Sequence, residues 1–294
     1  MKFTKLQAAG NDFILVETGD MQRNWSQEAM AVCDRHFGVG ADGLLLLLPS
    51  DMADFRMRIF NPDGSEAEAC GNGLMCLAKY VVNMGLADIE AQGILVETIA
   101  GIRKAKIYKA RGKLTKIWVS MGTPKLGAKD IPVAIEEGDR ELVDIKSILG
   151  YTVTVEDRKL LLNFVSVGNP HAVYFCQDPV SDYPLSQIGS KVEQLSIFPN
   201  RINFEVANVV NRQRIEARVW ERGVGETLAC GSGACAVAVA AQLRGYIDSK
   251  VDIKLPGGIL EVEWDRAGEI FLGGPAEIVF TGEWPEESCL SRVD

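Results

Sequence analysis

One short phrase occurs twice in the chain, as Ala69-Cys70-Gly71-Asn72-Gly73 and as Ala229-Cys230-Gly231-Ser232-Gly233, 160 positions apart. Each copy runs straight into an apolar stretch that reads as a helix. A chain that repeats a cysteine-bearing turn in this way is constrained to fold as two half-copies. Half-copies can set two equivalent side chains facing one another across a single site. Two thiols so placed give a proton to one face of a carbon and take it from the other, the geometry a racemase or epimerase needs when it has no cofactor.

The repetition extends beyond the cysteines. Gly10-Asn11 precedes the strand-like run Phe13-Ile14-Leu15-Val16, and Gly168-Asn169 precedes Ala172-Val173-Tyr174-Phe175. Upstream of each cysteine lies an alternating segment, Phe55 to Asn61 and Ile215 to Glu221, which reads as a half-buried strand. Downstream, Val96 to Ile102 is echoed by Ile253 to Ile259. Four landmarks recur in one order at nearly constant offset. Each half therefore reads as strands, a Gly-rich turn with the cysteine, one apolar helix, then more strands.

The helices expected are Leu74 to Met84 and Ala234 to Gly245. Leu74, Leu77, Ala78, Val81 and Val82 share one face of the first, and the second is apolar nearly all round. A helix apolar on every side is a buried helix, so each is expected to be wrapped by its own half's sheet. Two long helical signals among many short strands predict two strand-rich α+β domains. Pro124 to Asp157 carries no motif. Asp178 to Pro199 reads as a connection plus a polar helix. The strand near Glu277 to Thr281 has no counterpart in a simple tandem and is expected to return to the first domain.

At 294 residues the chain is long enough for two ordinary domains. A net charge of −9 argues against nucleic acid or an anionic membrane surface as partner. No basic stretch followed by an apolar core opens the sequence, and the longest apolar runs are too short to span a bilayer. Seven cysteines, an odd number, fit reduced thiols in a cytoplasmic setting better than a disulfide framework.

A helix amino end can lower a thiol's pKa, and Cys70 and Cys230 each precede such an end. Gly71 and Gly231 let the backbone approach a ligand, and the exposed amides there suit a substrate carboxylate. One element then supplies both a tuned thiol and a carboxylate cradle. Removing the α-proton of an amino acid often requires pyridoxal phosphate, but no lysine here has a setting suited to that cofactor. No phosphate-cradling loop is present either, and no cofactor is expected. Nor is a metal: Cys70 with Cys76, and Cys230 with Cys235, are not ligand-spaced pairs, and His36 and His171 are the only histidines.

A buried cysteine is usually an inert small hydrophobe, and Cys33, Cys76, Cys176, Cys235 and Cys289 take that reading. A structural disulfide between Cys70 and Cys230 is the other option for the matched pair, although a staple does not require adjacent glycines. Asn61 and Glu221 each stand nine residues before a cysteine, near the end of the preceding strand. Asn61-Pro62-Asp63-Gly64 is equally a turn, and so are Gly10-Asn11-Asp12 and Gly168-Asn169-Pro170-His171. Glu221-Arg222 sets an anion beside a cation and could grip both ends of a zwitterion. Asn203, between Ile202 and Phe204, either points into a site or sits at a bulge.

These residues resemble the diaminopimelate epimerases over essentially the whole chain. The resemblance rests on Gly10 to Phe13, Asn61 to Ser65, the two cysteine phrases, Gly168 to His171, Asn200 to Asn203 and Glu221 through Thr227. It implies interconversion of LL- and meso-diaminopimelate without cofactor or metal, on the route to lysine and peptidoglycan. It implies two pseudo-symmetric domains, each a mostly antiparallel sheet rolled around a central helix, with the site in the cleft between them. Pairing the halves puts the first at 1–122 plus 275–294 and the second at 123–274.

By the same carry-over Cys70 and Cys230 are the acid/base pair, and His171 and Glu221 support them. Asn11, Asn61, Asn169, Asn203, Glu221 and Arg222 contact substrate, with Gly71-Asn72 and Gly231-Ser232 at the helix starts. The family suggests a homodimer. Some members carry glutamine where this chain has Gly43, so position 43 is left out of the expected site. The near rival is a proline or hydroxyproline racemase, which shares the two-cysteine logic but needs fewer polar grips. A rival of another class is a binding or redox module in which the cysteines form a regulatory disulfide.

Overall fold

The computed structural model describes residues 1–294 apart from 69, 88–92, 111–112, 128–129, 135–148 and 286–294. Ala69 and Cys289 fall outside the described residues. The chain divides into two compact units, Met1–Ser120 with Gly273–Asp294, and Met121–Leu272.

The first unit begins with β1 (Lys2–Ala8), β2 (Asn11–Glu17), α1 (Trp25–Cys33), β3 (Gly43–Leu48), β4 (Phe55–Phe60) and the short β5 (Glu66–Ala67). Helix α2 (Gly71–Asn83) follows, then β6 (Ile94–Thr98), β7 (Gly101–Ala110) and β8 (Lys113–Gly122). Strand β1 lies antiparallel to β2, β2 parallel to β3, β3 antiparallel to β4, β4 parallel to β6, and β6 antiparallel to β7. The far edge of β1 is covered by the strand Glu277–Glu283, which comes back from the end of the chain to pair antiparallel with it.

The second unit repeats this order. It contains β9 (Leu149–Val155), β10 (Arg158–Ser166), β11 (Pro170–Phe175), α3 (Leu185–Glu193), β12 (Asn203–Asn211), β13 (Arg214–Glu221) and β14 (Gly225–Thr227). Helix α4 (Gly231–Leu243), β15 (Lys250–Leu255) and β16 (Gly258–Glu263) follow, β17 (Ile270–Gly274) spans the boundary at Gly273, and the returning strand of the first unit is β18. Strands β9 to β13, then β15 and β16, pair in the same sequence of senses as in the first unit: antiparallel, antiparallel, parallel, antiparallel, parallel, antiparallel. The place that β9 fills here is filled in the first unit by β18.

Each central helix packs inside its own unit's strands, α2 against β1 to β4, β7 and β18, and α4 against β10 to β13, β15 and β16. In α2 every residue from Gly71 to Ala78 is buried, as is Val81. In α4 everything from Gly233 to Gln242 is buried, as expected of a helix apolar on all sides. The outer helices cover other strand faces: Trp25, Ala29 and Val32 of α1 join a core with Leu44, Leu46 and Phe60, and Leu185, Ile188 and Val192 of α3 join one with Phe164 and Phe204.

Two expectations need correction. The central helices start three residues earlier than Leu74 and Ala234, because Cys70 and Cys230 are themselves the caps and the glycines form the first turn. They end at Asn83 and Leu243, and Gly85 and Gly245, in left-handed backbone at φ 69° and 78°, close the last turns. The fold also holds a helix, α1, that hydrophobic periodicity did not reveal: nine residues, capped by the Asn24 side chain accepting from the Gln27 amide. It stands 160 residues before α3, so the repeat includes these outer helices too. Among the described residues no helix is long and apolar enough to cross a membrane.

Candidate active site

Each unit presents its cysteine in the same way. Cys70 is the cap of α2 in extended backbone, φ −143° and ψ 120°, and its Sγ accepts from the Gly73 amide at 3.4 Å. Cys230 caps α4 at φ −127° and ψ 116°, with Sγ accepting from the Gly233 amide at 3.4 Å. A cap that uses its own side chain leaves the amides of the next two residues without intrahelical partners. These are Gly71 and Asn72 in one unit and Gly231 and Ser232 in the other. Their N–H groups, at the positive end of a helix dipole, suit a carboxylate.

The surroundings of the two thiols differ. Cys70 is half-buried, and the polar residues near its helix start form a chain: Asn72 Nδ2 donates to Asn11 Oδ1 at 3.2 Å, and Asn11 Nδ2 donates to Asp42 Oδ2 at 2.9 Å. Arg35 bridges Asp42 and Asp12, both at 2.7 Å, and the buried Lys5 ammonium holds Asp12 from the other side at 2.5 Å. Burial pushes the Asp12 carboxyl up, but hydrogen bonds from Arg35 and Lys5 outweigh it and bring it down to about 2. Asn72 is buried, and its Oδ1 has no hydrogen-bond partner among the described residues.

Cys230 is buried, and its Sγ lies 3.4 Å from Ser232 Oγ. The Glu221 carboxylate accepts from Thr227 Oγ1 and lies close enough to this thiol for the two to interact electrostatically. The helix terminus was expected to lower this thiol's pKa; instead burial pushes it well up, and the negative charge of Glu221 pushes it further. Desolvation of a sulfur anion wins over a partial helix charge. Glu221 is itself raised, by burial first, with Thr227, His171 and Cys230 pulling the other way.

His171 is wholly buried, its Nδ1 2.6 Å from Glu205 Oε1 and its Nε2 2.9 Å from Asn169 Oδ1. Asn203, also buried, donates to Pro170 O at 2.8 Å and accepts from the Arg222 amide at 2.9 Å. The second unit thus brings together Cys230, Glu221, His171, Asn169 and Asn203. Glu221 and Arg222 take different partners, for the Arg222 guanidinium donates to Asn200 O at 3.2 Å. In the first unit Asn61 stands in a turn, its Nδ2 donating to Ser65 Oγ at 2.9 Å, with Gly64 at φ 84°. Gly43 pairs with Phe13 as Asn203 pairs with His171, and a Cβ there would sit 3.1 Å from Phe60 O.

Residues not singled out from the sequence also belong to these surroundings. Glu205 and Thr227 lie with the second cluster, and Lys5, Arg35 and Asp42 with the first. Glu205 follows Asn203 by two on a strand, so alternation put it on the same face. Of the remaining cysteines, Cys33, Cys76 and Cys235 are buried, with thiols pushed up by desolvation, Cys33 to about 12. The Cys176 thiol donates to Asp178 O at 3.2 Å. Among the described residues no three His, Cys, Asp or Glu side chains form a set that could hold a metal ion.

Two units of one design, each offering a thiol as the cap of a helix buried in its sheet, define a duplicated α+β fold with a cysteine in each half. Comparison with known proteins agrees. Residues 3–127 and 163–279 match the family described as diaminopimelate epimerase. The chain is 44% identical over 285 residues to the diaminopimelate epimerase of Acetivibrio thermocellus, covering 96% of this chain and 98% of that one. It is 42% identical over 285 residues to that of Methanococcus maripaludis, covering 96% and 99%.

The chain belongs to the diaminopimelate epimerase family. Solved structures share the fold at lower identity. A phenazine biosynthesis protein of the PhzF family from Bacillus anthracis has a TM-score of 0.70 at 20% identity, over 97% of this chain and 99% of that one. A hydroxyproline epimerase from Agrobacterium vitis, with bound trans-4-hydroxy-L-proline, has a TM-score of 0.68 at 14% identity, over 96% and 90%.

Proposed function

We propose that the chain is an isomerase interconverting LL- and meso-2,6-diaminopimelate, a step toward lysine and peptidoglycan precursors, by exchange of the α-proton between two thiol groups. The observation that carries the mechanism is the pair of matched helix caps: Cys70 and Cys230 hold their sulfurs in one backbone geometry, at equivalent places in two copies of one unit. In this reading both thiols serve one substrate. One sulfur, as thiolate, takes the α-proton from one face, and the other, as thiol, gives its proton to the opposite face. The two exchange roles in the reverse direction.

First-turn amides at Gly71-Asn72 and Gly231-Ser232 bind the carboxylate of the reacting end and stabilise charge that develops there. Glu221, which interacts electrostatically with Cys230, receives the proton when that thiol ionises. His171 serves as a second supporting acid/base group. Asn11, Asn61, Asn169, Asn203, Glu221 and Arg222 contact the substrate, whose second amino-acid end needs polar grips of its own. The protein acts as a homodimer in the cytoplasm, with a small molecule and not a nucleic acid or membrane as its partner.

The test is an assay of the purified, reduced protein on LL-diaminopimelate beside L-proline, following deuterium uptake at the α-carbon in heavy water. Epimerisation of diaminopimelate alone supports the reading. Exchange on L-proline alone would assign the chain to the proline racemase type of activity, and no exchange on either would make the thiols a binding or redox device.

A further inference from the structure

Strand register makes the two halves comparable residue by residue. In the first unit Phe13 pairs with Gly43 and Leu15 with Leu45; in the second His171 pairs with Asn203 and Val173 with Glu205. Leu45 and Glu205 therefore hold one structural position, and contacts agree. A Cβ placed at Gly73 would meet Leu45 Cδ2 at 3.1 Å, and one placed at Gly233 would meet Glu205 Oε1 at 2.9 Å. Both side chains lie against the first turn of a central helix, one residue being apolar and the other acidic. Leu45 is fully buried and Glu205 is 1% exposed.

The first unit shows that the fold itself asks only for a leucine-sized side chain there. A buried carboxylate is costly to desolvate unless it is paired, and an apolar residue of like volume is often the more stable choice. Glu205 has one such pairing, to His171 Nδ1 at 2.6 Å, while its Oε2 has no hydrogen-bond partner among the described residues. The amino end of α4 beside it favours the anion. An ionised carboxylate is acceptor-only, so His171 Nδ1 must carry the proton that joins them. The ring is then fixed, and Nε2, 2.9 Å from the Asn169 Oδ1 acceptor and donating to it when protonated, is left as the nitrogen that can gain or lose a proton.

We infer that Glu205 is a positioning residue for His171, holding Nδ1 protonated so that Nε2 alone takes part in proton exchange. The effect on turnover rests on the epimerase reading above, whereas the tautomer does not. The chain has two histidines, so the ring nitrogens of His171 are assigned against His36 alone in a ¹⁵N NMR spectrum of the whole protein. The expected spectrum has a protonated Nδ1 on His171 in the wild type and a changed ring signature in Glu205→Gln, whose amide can donate to Nδ1.

Glu205→Gln should lower kcat by about tenfold or more, up to the roughly 100- to 10,000-fold that a positioned acid/base group supplies, with KM changed less than about twofold. Glu205→Asp should recover part of the loss. Glu205→Leu, the residue of the other half, should fold and remain slow. An unprotonated Nδ1 in the wild type overturns the proposal, as does wild-type kcat in Glu205→Gln or a change confined to KM. Slow turnover in Glu205→Gln with an unchanged ring signature also overturns it, since that is packing alone. If the wild type fails to epimerise diaminopimelate, the functional reading falls while the NMR result still decides the role of Glu205.

Discussion

The two thiols have the same backbone and different surroundings, and this difference is measurable. Cys230 is buried beside Glu221, with its pKa pushed well above the usual thiol value. It is therefore a neutral thiol at pH 7 to 8, and its thiolate fraction grows as pH rises. Alkylation of Cys230, followed by mass spectrometry, is predicted to accelerate about tenfold per pH unit through pH 9; a rate already level below pH 8 would show a lowered pKa instead. Cys70→Ser and Cys230→Ser are each predicted to cut epimerisation by orders of magnitude with an unchanged far-UV spectrum, since serine is a far weaker acid. Near wild-type turnover in either would remove the mechanism. The cysteines were legible because a repeated phrase marks them. Glu205 was not, because one acid on an alternating strand reads as a solvated face until the partner strand and helix are seen to bury it. The raised pKa of Cys230 was equally hidden, since sequence reveals the helix end but not the depth of burial.

The central helices are visible as apolar runs, but their first three residues, Gly71-Asn72-Gly73 and Gly231-Ser232-Gly233, read as loop because glycines usually mark loops. Here close packing decides the matter: Gly71 and Gly73 are buried, and a side chain at Gly73 would press on Leu45. Helix α1 is not legible in the sequence because nine residues with Met30 exposed on the far side carry little periodicity. Most of the stability of α2 comes from its packing. Leu77 is fully buried, and Leu77→Ala is predicted to cost about 2–5 kcal/mol in denaturant unfolding. A loss under 1 kcal/mol would mean that the helix is not the core of its unit.

At the scale of the molecule, the repeat read from four landmarks reappears as one order of strand pairings in both units. The unmatched strand β18 has its explanation in that order: it occupies beside β1 the position that β9 occupies beside β10. Duplication preserved the frame while the polar residues diverged, and the first unit ties its strands near the start of α2 with the Lys5, Asp12, Arg35 and Asp42 network. Because the folded state holds Asp12 at about 2 against an ordinary 3.8, the stability it contributes is present above pH 4 and lost as pH falls toward 2. Asp12→Asn is predicted to flatten that part of the stability curve, and an unchanged acid limb would show that the network contributes nothing there.

The central claim, two sulfurs serving opposite faces of one carbon, is tested most directly by a brief reaction of LL-diaminopimelate in deuterium oxide. With a separate donor and acceptor, the first meso product carries solvent deuterium at the inverted centre, while unreacted LL-diaminopimelate keeps its own hydrogen. Substrate hydrogen returned to the inverted carbon would mean that one group does both tasks, and would contradict the account.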